Sequence, residues 1–210
     1  MHGIICKAVE TFLSVQYGED AWRRAADAAG CDVRRFETVE SYDDAMMADL
    51  IAEAADGIDT DPAALLEDLG TWLCTHPPLE PVRRLFRFSG STFQEMLFSL
   101  DEVHERARLA LPDLDVPIYS LIDLGDGQYR VASTWMTPGA GSVLIGILRA
   151  MADDYGVLAF LEFETGAEVN GQWAEIISIA TLDDAFAAPR EFSLGGSPAV
   201  QARPAIEGAA

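Results

Sequence analysis

The sequence predicts an α+β chain, a helical first half followed by an antiparallel sheet with one packed helix. Three observations predict it. Apolar residues recur at helical spacing through about residue 109. From about residue 116 the pattern changes to apolar–polar alternation on both sides of "GDG", a hairpin signal. A single long apolar helix, "GSVLIGILRAMADDYG", then separates the alternating segments.

The elements follow in chain order. Ile4, Ile5, Ala8, Val9, Phe12, Leu13 and Val15 mark a helix over 4–16, broken by "YGED". The next runs over 19–29, and two more over 42–56 and 61–74. Asp61-Pro62 is a strong start signal for the latter. "THPPLEP" reads as a loop and 81–88 as a short helix. "GSTFQEM" offers Ser91 and Thr92 as caps, with Gln94 and Glu95 at the reciprocal positions. One continuous helix is expected from there to about Leu109. "VPIYSLIDL" and "QYRVASTWM" are the first two strands, and "VLAFLEFET" and "EIISIATL" the last two. Residues 1–182 form the expected domain. The Gly/Pro/Ala-rich tail, 193–210, is expected to be disordered.

Composition narrows the function. Half of the 210 residues are hydrophobic, enough for a sizeable core. The net charge is −21, and Lys7 is the only lysine among 14 basic residues. Such a surface repels phosphate, so nucleic acid and anionic membrane are excluded as partners. Cys6, Cys31 and Cys74 lie far apart, with no C-x-x-C, and read as reduced thiols of a cytoplasmic protein. No secretory leader is visible, and no apolar run is long enough to span a bilayer.

Catalytic constellations are weak. Asp43-Asp44 and Asp153-Asp154 are adjacent pairs, which diverge on a helix. "GDGQYR" and "GAGSVL" lack the rest of a nucleotide-binding motif, and no Gly-x-Ser-x-Gly elbow occurs. No enzymatic activity is expected.

His104 is the residue that asks for an explanation. Phe93, Met96, Leu97, Leu100 and Val103 form the apolar stripe of its helix, and His104 falls on or beside that stripe. It is either a core histidine bonded to a carbonyl or a ligand. His2 and His76 make no zinc spacing with it. A lone axial imidazole instead suits haem iron, where the porphyrin supplies the other four nitrogens.

The "LDEVH" segment at 100–104 resembles the proximal-histidine segment of the haem nitric oxide/oxygen-binding domains, relatives of the sensor domain of soluble guanylate cyclase. "MHGII" at 1–5, Tyr17-Gly18, Leu69-Gly70, Pro117 thirteen residues after His104, and "VLIGIL" at 143–148 agree in order and spacing. The resemblance covers roughly residues 1–180. It implies haem b between the helical and sheet halves, with the iron on His104 and Pro117 pressing on the ring. Leu100 would flank the porphyrin. Ile5, Val9, Val143 and Ile147 would line an apolar distal pocket without a tyrosine donor. That pocket would favour nitric oxide over oxygen.

One motif departs. The family's Tyr-x-Ser-x-Arg, which holds the haem propionates, is missing from "QYRVASTWMTPGAG". With Ser133 as the serine, Val131 takes the tyrosine position and Trp135 that of the arginine. Counting back from Gly146, the arginine falls near Thr137 or Pro138. The propionates must then reach water, or find Arg130 or one of Arg83, Arg84 and Arg87. The resemblance further implies a stand-alone bacterial sensor whose partner is a histidine kinase or a cyclic-di-GMP enzyme. The competing reading is a haem-free descendant that serves as a protein-interaction or apolar-ligand module.

Overall fold

The computed structural model describes residues 1–88, 90–183 and 185–190. Its first half is helical: α1 (Gly3–Tyr17), α2 (Glu19–Ala28), α3 (Asp44–Gly57), α4 (Pro62–Thr75) and α5 (Glu80–Arg87). Local chemistry sets their starts. The His2 ring accepts from Ile4 N–H, Asp43 from Ala45 N–H and Asp61 from Ala63 N–H, with Pro62 opening α4. The expected loop at 75–81 is partly ordered, with a 3-10 turn at Pro77–Leu79 leading into α5.

The expected helix over 92–109 is three pieces: α6 (Phe93–Phe98), a 3-10 turn (Leu100–Glu102) and α7 (Val103–Ala110). Thr92 and Glu95 form the reciprocal cap of α6. The break lies at Ser99, whose hydroxyl donates back to the Met96 carbonyl at 2.8 Å. Its own carbonyl accepts from Arg106 Nη2 at 2.7 Å. Side-chain competition of this kind bends or ends helices. His104 therefore starts a new helix beside Val103 and does not continue the stripe of α6.

The second half contains β1 (Ile118–Gly125), β2 (Gln128–Trp135), α8 (Ala140–Tyr155), β3 (Leu158–Val169) and β4 (Gln172–Asp183). All strand pairs are antiparallel, in the order β1-β2-β4-β3. The β1–β2 turn needs left-handed backbone at both Asp126 (φ 51°) and Gly127 (φ 73°), which "GDG" supplies. The 193–210 tail lies outside the described residues.

Two cores result. The N-lobe core joins α1–α4 around Phe12, Leu13, Trp22, Leu50, Leu65 and Trp72. The C-lobe core packs α6–α8 on one sheet face through Met96, Leu100, Leu144, Leu148, Val131 and Ile177. Val143 packs against both. The lobes meet where α4 crosses α8 at backbone distance: a Cβ on Gly70 would lie 2.0 Å from the Val143 carbonyl oxygen, and one on Gly146 1.8 Å from that of Glu67.

Candidate functional site

His104 begins α7 half-buried, and its position is fixed by one contact. Nδ1 lies 2.9 Å from the carbonyl oxygen of Val116. A carbonyl can only accept, so Nδ1 carries the proton and the lone pair sits on Nε2. That is the tautomer a metal ligand needs, oriented by a main-chain acceptor. Val116 precedes Pro117, so the ring is tied to the segment entering β1.

The other expected site residues divide among several environments. Leu100 and Ile147 are packed in the C-lobe core, and Val9 in the N-lobe core. Ile5 is half-buried on α1, and Val143 spans both cores. Of these, Val143 alone packs against both cores; Leu100, Leu144 and Leu148 of the C-lobe core have no exposed surface. Seating a porphyrin among them requires the seam to open.

Strand alternation separates Arg130 from Ser133. Tyr129, Val131 and Ser133 point to the core, whereas Arg130 points out and pairs with Glu164 at 2.9 Å. The two cannot serve one propionate pair. Arg83 is likewise committed, to the buried Asp154 and to Glu80. Arg84 pairs with Glu80, and Arg87 lies 3.6 Å over the ring of Tyr155.

Sequence reasoning missed three features. Ser133 Oγ is buried with no hydrogen-bond partner. Trp72 Nε1 is in the same state, its indole stacked on His76 at 4.5 Å and packed against Phe12. Glu175, opposite Ser133 across the β2–β4 ladder, is buried; its two oxygens accept from Gly139 N–H (2.8 Å) and Gly141 N–H (2.7 Å) at the start of α8. An acidic residue on the apolar parity of β4, in register with Ile177 and Ile179, was the available signal for Glu175.

The lobes part at a groove of about 190 Å³ lined by Met1, Asp44, Asp113, Asp115, Trp135 and Thr137, among others. It adjoins Val116, the acceptor for His104. Its aromatic wall is fixed by Trp135 Nε1 donating to Asp115 at 3.0 Å.

Residues 2–156 match the Haem-NO-binding (HNOB) family. The chain belongs to that family. Members are haem-based gas-sensing domains and not catalytic ones. The chain is 21% identical over 155 residues to soluble guanylate cyclase 89Db of Drosophila melanogaster, covering 74% of this chain and 23% of that protein. It thus spans about a quarter of the curated relatives it matches. The fold also matches solved H-NOX structures. The I5F mutant of T. tengcongensis H-NOX superposes with a TM-score of 0.69 at 14% identity, over 86% of this chain and 97% of the other. An oxygen-binding H-NOX domain related to soluble guanylate cyclases, solved as its oxygen complex, gives 0.63 at 15% identity, over 91% and 100%. Among the described residues no helix is long and apolar enough to cross a membrane.

Tested against an HNOB haem, the residues fit at the iron and along the ring. His104 presents a free Nε2, and the seam offers apolar walls. They do not fit at the expected propionate strand, where Trp135 stands in place of the arginine and lines a groove with Thr137 and three carboxylates.

Proposed function

We propose that this chain senses nitric oxide through haem b held by His104 between the two lobes. The observation that carries the reading is the His104 Nδ1–Val116 contact, which orients the ring and leaves Nε2 as the nitrogen able to ligate. Haem held by His104 would supply an iron able to bind a diatomic gas. The chain's own residues do the rest. Ile5, Val9, Val143 and Ile147 carry no hydrogen-bond donor, so a ligand that needs one, such as oxygen, gains nothing from them. Leu100 and Pro117 support the ring on the side of His104, and Ser133 offers an inward hydroxyl on the expected propionate strand. A pull on the imidazole passes to Val116 and Pro117, and so to the entry of β1. A separate partner reads that change; the resemblance points to a histidine kinase or a cyclic-di-GMP enzyme in a bacterial cytoplasm.

Absorption spectra of the reduced, haem-loaded protein test the selectivity. Nitric oxide is expected to shift the Soret band at micromolar concentration, and air-saturated buffer to leave it in place. A stable oxygen spectrum that disappears in Trp72→Phe would overturn the discrimination and assign the missing donor to the buried indole.

A second reading, a haem-free interaction module, is favoured by one observation: Leu100, Leu144 and Leu148 are packed in the C-lobe core with no exposed surface. A chain that takes up no added haem would support it.

A further inference from the structure

We propose that the mouth of the lobe seam selects against carboxylates, so that this site holds a dianionic haem loosely and a porphyrin with a neutral edge more tightly. The inference rests on the haem reading above. A porphyrin tied to His104 must turn its ionised edge to water, because burying two unpaired carboxylates is prohibitive. The opening beside Val116 is the groove between Met1 and Asp44 of the N-lobe and Asp113, Asp115, Trp135 and Thr137 of the C-lobe.

His2, Ser41 and Thr137 also line the groove, but none of them carries a fixed positive charge to set against its carboxylates, and the stronger donors nearby are already engaged. The N-terminal ammonium is 2.6 Å from Asp44 Oδ1 and 2.6 Å from the Tyr42 carbonyl. Trp135 Nε1 is bonded to Asp115. The backbone N–H groups at the start of α8, a natural anion site, are filled by Glu175. Arg130 is on the far face of β2 with Glu164. The groove itself contributes Asp44, Asp113 and Asp115. Ser133 Oγ, on the same strand face as Trp135, is a buried polar atom left without a partner, and a hydroxyl can bond a neutral ester carbonyl as readily as a carboxylate.

Like charges at the few-ångström separations of such a groove repel measurably at its partly solvated dielectric, and salt weakens the effect. The test is a spectrophotometric titration of the full apo-chain with ferric haem and, separately, with its dimethyl ester, at low and at high salt. The ester is expected to bind at least about tenfold more tightly at low salt, with the ratio shrinking at about 0.5 M NaCl. The ester is also more apolar, so the variants decide. Asp113→Asn with Asp115→Asn, and separately Thr137→Arg, should tighten haem several-fold and leave the ester unchanged. These side chains are at the surface, and the substitutions leave both cores intact. Equal affinities, or a ratio that ignores the variants, would overturn the inference and leave the haem reading standing. No uptake of either porphyrin would overturn both.

Discussion

Individual side chains account for most of what this chain can do, and His104 shows how. Its imidazole can ligate because a main-chain carbonyl fixes the proton on the other nitrogen. Both options weighed for it from sequence, carbonyl-bonded core residue and ligand, describe the same ring, since the carbonyl bond leaves Nε2 available. The cysteines show the opposite case. Burial pushes the Cys6 thiol up to about 11 and the Cys74 thiol up to about 12. Both stay protonated at neutral pH and are poor nucleophiles. A group that holds its proton more firmly when folded stabilises the fold fully below its unfolded pKa and loses that contribution as pH rises. Stability measured by urea denaturation is therefore expected to fall from about pH 9 to about pH 11–12, over the window set by these shifts. A Cys6→Ala, Cys74→Ala variant should show a flatter profile. An equal slope in the variant would assign the loss to other groups.

Elements were legible in the sequence wherever a local signal existed. The start signals at Asp61 and Thr92 and the "GDG" turn gave starts and a reversal close to those observed. The break at Ser99 was not legible, because it depends on Arg106 reaching back across a turn to hold the Ser99 carbonyl. The propionate strand shows the same limit. Alternation places Arg130 and Ser133 on opposite faces, but only the β2–β4 register reveals Glu175 facing Ser133 and filling the start of α8. The α4–α8 crossing is another tertiary fact that two isolated glycines did not announce. Gly70 and Gly146 each sit within about 2 Å of where a Cβ would strike the opposing backbone. Gly70→Ala or Gly146→Ala forces the helices apart and is expected to destabilise by about 2–3 kcal/mol, the upper range of overpacking. Thermal melts of the apo-chain check this. A melting temperature within about a degree of the parent would mean the crossing is loose.

At the scale of the whole molecule, two cores share one seam, and function depends on whether that seam admits haem. The HNOB match and the H-NOX superpositions establish the family and the architecture. Acidic residues line the groove, and of the apolar residues expected to form a pocket, Leu100 and Ile147 pack in one core and Val9 in the other. These features favour a haem held by its axial bond more than by its edge. Replacing that bond tests the account most directly. Apo-protein carrying His104→Gly should develop no ordered Soret band with reduced haem, and free imidazole should restore the band of the parent chain while the far-ultraviolet circular dichroism stays the same throughout. An unaltered band in His104→Gly without imidazole, or no band in the parent chain, would contradict the account.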